Sequence, residues 1–461
     1  VVLSARSAGA QGATGRFDAL KELNGSVEAL VQRVEQSVVQ VLVTSSTPRQ
    51  EGTPGNTDLP AGRQRIVGSG IAVDSGGYIV TNAHVVDNAT RIEVVLPARS
   101  GAGGGMQSLA RGRGRTVDAT IVGVAPEIDL ALLKVEDAHL PAIHMADYDE
   151  LRQGDLVFAF GSPEGLRNSV TMGIVSEVAR QLDPDSPMVY VQTDAPINRG
   201  NSGGPLVNVD GELVGINTLI LTDSGGSQGL AFAVPSALVQ IAYPRLRRYG
   251  DLHRGEIGVL LQTITPTLST ALGLSQDWGA MISDVAPNGP AEAAGLRVQD
   301  IVTSIDGEPI DGLPRLAFQL CTRSAGDRVR LGVLRGSDTF TFEVLVGERA
   351  HDVGRPTDAA EPASLVTRLA IFGVDIGDAG ADLASALRVP SGVMVVGHST
   401  EEGTITETGL LAGDTIHGIN GTPVTSVTDL QAAIDRLKPR SPVALQIERK
   451  GQLTFLAFEL D

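Results

Sequence analysis

Three short segments carry residue types that together could perform nucleophilic chemistry. Thr81-Asn82-Ala83-His84 ends a strand-like run, Asp129 opens Asp129-Leu130-Ala131-Leu132-Leu133, and Gly200-Asn201-Ser202-Gly203-Gly204-Pro205 lies between two more strand-like stretches. A serine hydroxyl is an effective nucleophile when an imidazole takes its proton and a carboxylate holds that imidazole in the right tautomer. The developing oxyanion needs amide donors aimed at it. Glycines around Ser202 allow a turn sharp enough to form an oxyanion site from Gly200, Asn201 and Ser202, with the Gly200 and Ser202 N–H groups as the expected donors. Singly, each segment has an ordinary reading: a surface or core histidine, a turn aspartate, a glycine turn. A phosphate cradle fails because no lysine follows Gly204. The joint occurrence in one β-rich stretch favours His84, Asp129 and Ser202 as a catalytic set. His139 and His144 follow the candidate acid without the strand context and are read as surface residues.

Short strands must position these groups. Ile66–Val73, Tyr78–Thr81, Arg91–Leu96, Val117–Val124 and Leu130–Val135 form one set of candidates, after a β-branched run at Val38–Val43. Leu156–Gly161, Ser169–Val178, Val189–Thr193, Leu213–Leu221 and Leu230–Val234 form a second. Two groups of short strands predict paired sheets or barrels. Asp74-Ser75-Gly76-Gly77 predicts a hairpin turn. Apolar spacing predicts an amphipathic helix over Leu20–Gln36, and another follows Pro235-Ser236 to about Tyr249. Ser4–Gly15 reads as a disordered arm, and Thr47–Gln64 and Ser100–Arg115 as loops.

The chain has 461 residues, with 36 basic against 54 acidic side chains for a net charge of −18. A surface that acidic argues against general nucleic-acid binding. The single cysteine, Cys321, excludes an internal disulfide and a cysteine-built zinc cluster. No metal-ligand spacing is present and no cofactor is expected. No apolar run is long enough to predict a membrane-spanning helix. The first residue, Val1, suggests a processed chain whose signal peptide or anchor is absent.

The C-terminal part is an internal repeat. Gly295-Leu296, Asp300-Ile301-Val302 and Ile305-Asp306-Gly307 recur as Gly409-Leu410, Asp414-Thr415-Ile416 and Ile419-Asn420-Gly421, each pair 114 residues apart. Helices are predicted near Leu313–Thr322, with Pro314 in the first turn, and over Val427–Leu437, with Ser426 and Asp429 as a short capping box. Two copies are too few for a solenoid and read as duplicated modules of roughly 100 residues. The expected organisation is an N-terminal arm and helix (1–36), a catalytic domain (37–250), a first module (251–348), a linker (349–362) and a second module (363–461).

Residues Val38–Ala237 resemble the protease domain of the HtrA (Deg) serine proteases. The matching segments are Gly68-Ser69-Gly70, Gly77–Asn82, Asp129–Leu133, Gly161-Ser162-Pro163 and Gly200–Leu206. The His, Asp, Ser order is that of chymotrypsin-like enzymes. The resemblance implies a mainly β chain, a chymotrypsin-like double β-barrel followed by two PDZ domains, with the triad His84, Asp129 and Ser202. It further implies a primary specificity pocket shaped by Ala195, Ile197, Asn198, Ile216, Asn217 and Thr218, suited to small or medium aliphatic side chains. The alternative for these pocket residues is packing of the barrel core. Regulatory loops are implied at Gly161–Gln181, Ala195–Asn201 and Leu221–Gly229, with Arg199 joining their network.

The repeats resemble PDZ domains. The carboxylate-binding turn is expected at Ile257-Gly258-Val259-Leu260 in the first copy and at Phe372-Gly373-Val374 in the second. The second copy departs more, carrying Ser399–Gly403 where the first has Ala286–Ala291, so it binds peptide or mediates assembly. The family implies an ATP-independent endopeptidase of unfolded or misfolded envelope proteins, binding hydrophobic C-termini, forming homotrimers or multiples of them, and working in the periplasm. The rival readings are a chaperone whose protease is silent at rest and a PDZ scaffold.

Overall fold

The computed structural model describes residues 14–45, 64–97, 114–136, 138–162, 169–183, 186, 188–198, 200–220, 229–252, 255–348, 364–369, 371–376, 387–398 and 408–460. The arm at Ser4–Gly15, the loops Thr47–Gln64, Ser100–Arg115 and Leu221–Gly229, the linker Arg349–Pro362, Arg199 and Ser399–Gly403 lie wholly or largely outside these residues. The chain forms two compact units. One is 1–180 with 189–252, and the other is 181–188 with 253–461.

The first unit contains two closed six-stranded barrels. One is built from β1 (Val38–Ser45), β2 (Gln64–Asp74), β3 (Tyr78–Thr81), β4 (Ala89–Val95), β5 (Thr116–Ala125) and β6 (Leu130–Lys134), in the order β1-β2-β3-β6-β5-β4. The other uses β7 (Leu156–Gly161), β8 (Ser169–Gln181), β9 (Val189–Thr193), β10 (Pro205–Val207), β11 (Leu213–Ile220) and β12 (Ala231–Pro235), in the order β10-β11-β12-β9-β8-β7. Closure removes free strand edges. Val39, Val41, Val43, Ile79 and Leu133 are among the residues filling the first barrel, and Val157, Val175, Val191 and Leu206 among those filling the second. The short strand β10 has no clear sequence signal, because it is three residues long and follows directly on the glycine turn.

The first helix runs Thr14–Val34, starting earlier than the apolar spacing predicts and passing through Gly25. Only its C-terminal end is well covered, with Leu30 and Val34 buried while Leu20 and Leu23 are exposed. The Ser236–Tyr249 helix stops at Gly250, whose left-handed φ of 84° lets its N–H reach the Leu246 carbonyl at 3.0 Å. The Gly250 carbonyl then accepts from Val124 of the first barrel at 3.0 Å.

The second unit holds the repeat. In the first module, β13 (Gly255–Glu256) pairs with β20 (Gly347–Glu348). The main sheet is β14 (Val259–Thr263), β15 (Ala280–Val285), β16 (Ile301–Ile305), β18 (Arg328–Arg335) and β19 (Asp338–Leu345), with β17 (Glu308–Pro309) paired to β16. In the second module the order is β21 (Ser364–Val366), β22 (Ile371–Asp375), β23 (Val393–His398), β24 (Thr415–Ile419), β26 (Pro442–Arg449) and β27 (Gln452–Glu459), with β25 (Thr422–Pro423) paired to β24. The predicted helices are Leu313–Cys321 and Val427–Asp435, and the Ser426 hydroxyl caps the latter by accepting from the Asp429 N–H at 3.1 Å.

One ion pair repeats with the fold. Arg335 binds Asp300 through Nε at 2.6 Å and Nη2 at 2.7 Å, and donates to the Gly295 carbonyl at 2.9 Å. Arg449 does the same to Asp414 at 2.7 and 2.6 Å and to Gly409 at 2.8 Å. Both aspartates are buried, so each fork satisfies a carboxylate that water cannot reach. The two modules also touch each other. Gln262 exchanges two hydrogen bonds with the backbone of Phe455, at 2.6 and 3.1 Å. The Arg388 guanidinium contacts the Asp284 carboxylate, which also accepts from the Leu453 N–H at 3.1 Å.

Candidate active site

His84 sits on a single helical turn, Ala83–Val86, that begins directly after β3. Asp129 follows the short 3-10 turn Pro126–Ile128 and has a left-handed φ of 53°, a conformation that aspartate tolerates better than most residues. This turn aims the Asp129 carboxylate at His84. The imidazole Nδ1 lies 2.8 Å from Oδ2 and 3.0 Å from Oδ1, and the His84 backbone N–H donates to Oδ1 at 3.0 Å. The Asn82 amide donates to the Asp129 carbonyl at 3.0 Å, and the Thr218 hydroxyl donates to Asp129 Oδ2. Burial opposes ionisation of Asp129. The His84 hydrogen bond and charge, with the Thr218 hydroxyl and the His84 N–H, outweigh it and hold the carboxyl below its ordinary range. The phenol of Tyr190 is pushed up, first by burial and then by the Asp129 charge.

Ser202 stands on the turn between β9 and β10. Its hydroxyl donates to the Thr218 carbonyl at 3.3 Å. The turn is tightly specified. Gly200 and Gly203 have φ of 100° and 84°. A Cβ on Gly203 would fall 2.1 Å from the Ser69 carbonyl oxygen, and one on Gly204 would fall 2.2 Å from that of Phe160. The Asn201 N–H is spent on the Asn198 carbonyl at 3.0 Å, whereas its side chain is buried.

Ser69, on β2 of the first barrel, is a brace that the residue pattern does not reveal. Its hydroxyl donates to the Gly200 carbonyl at 2.7 Å and accepts from the Ser162 N–H at 2.9 Å. Its N–H donates to the Ser202 carbonyl at 2.8 Å, and its own carbonyl accepts from the Thr81 hydroxyl at 2.7 Å. A buried serine with these partners ties the strand leading to His84 to the turn carrying Ser202.

The six residues expected around the specificity pocket divide by environment. Ala195 and Ile197 are buried in the core of the second barrel, and Ile216 is fully buried in β11. Asn217 is also fully buried, and its side-chain amide donates to the Phe160 and Pro205 carbonyls at 3.3 and 3.2 Å. Its backbone exchanges hydrogen bonds with Gly203 and Gly204. Thr218 belongs to the Asp129 environment through its hydroxyl, and Asn198 is exposed.

In the first module Gly258 has a φ of 74°, and Ile257 and Gly258 offer carbonyls to Ala291 and Ala286 at 2.9 Å each. In the second module the strand register shows which residues are equivalent to this turn. Leu261 pairs with Ile282, and Gly373 with Val395; Ala280 pairs with Val302, and Val393 with Ile416. Both modules have a bulge one residue earlier, at Leu260/Leu261 and Phe372/Gly373. Gly258 is therefore equivalent to position 370, an alanine outside the described residues. Phe372, Gly373 and Val374 lie inside β22, where Gly373 has strand geometry and a Cβ would meet the Val393 side chain at 2.6 Å. A glycine required by packing resembles, in sequence, a glycine required by a turn.

The Trypsin-like peptidase domain family matches residues 68–216, and the PDZ domain family matches 255–346 and 377–460. The periplasmic serine endoprotease DegP of Escherichia coli is 34% identical over 470 residues, covering 94% of this chain and 92% of the relative. A probable periplasmic serine endoprotease, DegP-like, of Pseudomonas fulva is 35% identical over 420 residues, covering 90% and 83%. The solved structure of the HtrA-type protease AlgW with decapeptide is 34% identical, with a TM-score of 0.56, covering 70% of this chain and 98% of that one. With a barrel pair that brings His84, Asp129 and the Ser202 turn together, and with relatives that align along nearly its whole length, the chain belongs to the HtrA/DegP family of serine proteases, a trypsin-like peptidase domain followed by two PDZ domains.

Proposed function

We propose that the chain is an ATP-independent endopeptidase that cleaves unfolded or misfolded envelope proteins in the periplasm, with His84, Asp129 and Ser202 as its catalytic triad. The observation that carries the assignment is the Asp129 carboxylate held on His84 Nδ1 at 2.8 Å, with the Ser202 turn braced beside it through Ser69. Asp129 keeps the proton on Nδ1, so Nε2 is free to act as base. The Ser202 hydroxyl rotates from the Thr218 carbonyl to the imidazole, and Oγ attacks the scissile carbonyl carbon as its proton passes to Nε2. The tetrahedral oxyanion is met by the Gly200 and Ser202 N–H groups. The Asn201 N–H, already bonded to Asn198, contributes to the shape of the turn. The imidazolium then protonates the leaving amine, and water repeats the sequence to release the acyl group.

A preference for small or medium aliphatic side chains at the cleaved residue is part of this reading, supported by the absence of an acidic residue from 195–199 and 216–219. Hydrophobic C-termini add as a strand at the Ile257-Gly258-Val259-Leu260 turn. Homotrimers or multiples of them are part of the same reading, and sedimentation velocity tests them. Casein digestion by the wild type, lost in Ser202→Ala, tests the catalytic assignment, and covalent labelling of Ser202 by a fluorophosphonate locates it. If both forms left casein whole while suppressing aggregation, the chaperone reading would replace this one.

A further inference from the structure

The two PDZ domains differ at one edge of their sheets. In the first, β14 is the terminal strand, and no described strand pairs with its outer side. In the second, the equivalent strand β22 is covered there by β21, with Ser364 opposite Gly373, Leu365 opposite Phe372 and Val366 opposite Ile371. This pairing is antiparallel, and β21 ends beside the start of β22. A peptide added to that edge with its C-terminus at the turn would run in the same direction and occupy the same place.

The fit extends beyond the backbone. Val366 is fully buried, in a cluster that includes Leu369, Ile371, Leu430 and Ile434. The last two come from the Val427–Asp435 helix, which packs against both β21 and β22. The connection after β21 is fastened as well. Arg368 donates to the carbonyls of Ile434 and Leu437 at 3.0 and 2.8 Å, satisfying groups at the end of that helix. At the other end of the helix, the Val427 N–H donates to Asp375 of β22 at 2.5 Å.

We propose that Ser364–Val366 is a resident ligand of its own domain: it fills in the second PDZ domain the strand-addition edge that the first leaves open, so the chain takes one hydrophobic C-terminus, at the first domain. The inference rests on the reading that peptides add beside β14. It deepens that reading by assigning the peptide site to one of two similar domains and naming what closes the other.

Hydrogen exchange on full-length Ser202→Ala, with and without a decapeptide ending in three valines, tests both. In the free protein, amides across the β21–β22 pair exchange slowly. Adding peptide slows Val259–Thr263 and leaves Ile371–Asp375 unchanged. Slowing of Ile371–Asp375 by the peptide, or fast exchange throughout Ser364–Val366 in its absence, overturns the inference. Failure of the peptide to slow Val259–Thr263 instead defeats the underlying reading, while the β21–β22 result still stands on its own.

A second form fixes the strand in place. In a Cys321→Ser background, Leu365→Cys and Phe372→Cys place thiols on directly opposed residues. Oxidation is expected to leave the fluorescein-labelled peptide at one per chain, with affinity changed less than about twofold. A larger loss on oxidation, reversed by reductant, shows that the second groove opens to bind and overturns the inference.

Discussion

The Ser69 hydroxyl donates to the Gly200 carbonyl at 2.7 Å across 131 residues of chain, joining the barrel of the candidate base to the turn of the candidate nucleophile. The same oxygen accepts from the Ser162 N–H, so its loss removes two buried hydrogen bonds and leaves Gly200 and Ser162 only their long mutual contact at 3.4 Å. Ser69→Ala is expected to cost about 1–3 kcal/mol of stability, typical of a lost buried hydrogen bond. It also slows fluorophosphonate labelling of Ser202 in protein that is still folded. Thermal unfolding and labelling rate are measured on the same samples. A stability loss with an unchanged labelling rate would limit Ser69 to a structural role.

Asp129→Asn exchanges the acceptor that fixes the Nδ1–H tautomer of His84 for an amide. Peptide hydrolysis is expected to fall by about 10⁴ in kcat, the scale seen when a triad carboxylate is neutralised. Thr218→Val removes one donor to that carboxylate and lowers kcat by a smaller factor, and Thr218→Ser restores it. Steady-state kinetics with an aliphatic-site peptide separate the two effects.

Asp74 gives a pH-dependent contribution away from the active site. Its carboxyl is held below its ordinary value, first by the Gly76 N–H against the opposing effect of burial, and then by the Tyr243 hydroxyl and Arg247. The Gly76 bond is 2.6 Å and the Tyr243 bond 3.0 Å. Because the folded pKa lies below the unfolded value of about 3.9, the stabilisation is complete above that value and is lost as pH falls through the folded pKa. The Tm advantage of the wild type over Asp74→Asn is therefore largest near neutrality and disappears under acid. An advantage that grew on acidification would contradict the assignment.

Gly203 admits no larger residue. The Cβ of Gly203→Ala would overlap backbone oxygen, and its φ of 84° disfavours alanine. Loss of soluble folded protein, or destabilisation by at least about 3 kcal/mol, is expected from the combined clash and strain. Expression followed by urea unfolding measures it.

Arg388 spans the two PDZ domains. Arg388→Ala leaves the buried Asp284 without its cation, a change that typically costs about 3–5 kcal/mol. Faster hydrogen exchange at Leu453 and Phe455, which donate to Asp284 and Gln262, is the expected local readout.

The candidate set of His84, Asp129 and Ser202 was legible because the proposed chemistry imposes residue types in a restricted order, and the barrels were legible because short apolar and β-branched runs fall into two groups. Ser69 carried no such signal. A serine on a strand has the same appearance whether it faces water or braces a loop 131 residues away. Thr218 was expected in the pocket from the family resemblance alone, and the bond of its hydroxyl to Asp129 had no signal in the sequence. The second carboxylate-binding turn was expected at Gly373, the nearest glycine, whereas strand register makes position 370 the equivalent of Gly258. Strand pairing settles this register, and pairing depends on residues far apart in sequence.

The position of β21 changes what a fragment of this protein would be. The PDZ family match in the second domain begins at residue 377, after both β21 and β22. A piece cut there would lack the strand that forms the groove, and one cut at 367 would keep the groove while losing its occupant. Affinities measured on such a trimmed domain would describe a vacancy created by the cut, so the domain boundary itself becomes an experimental variable.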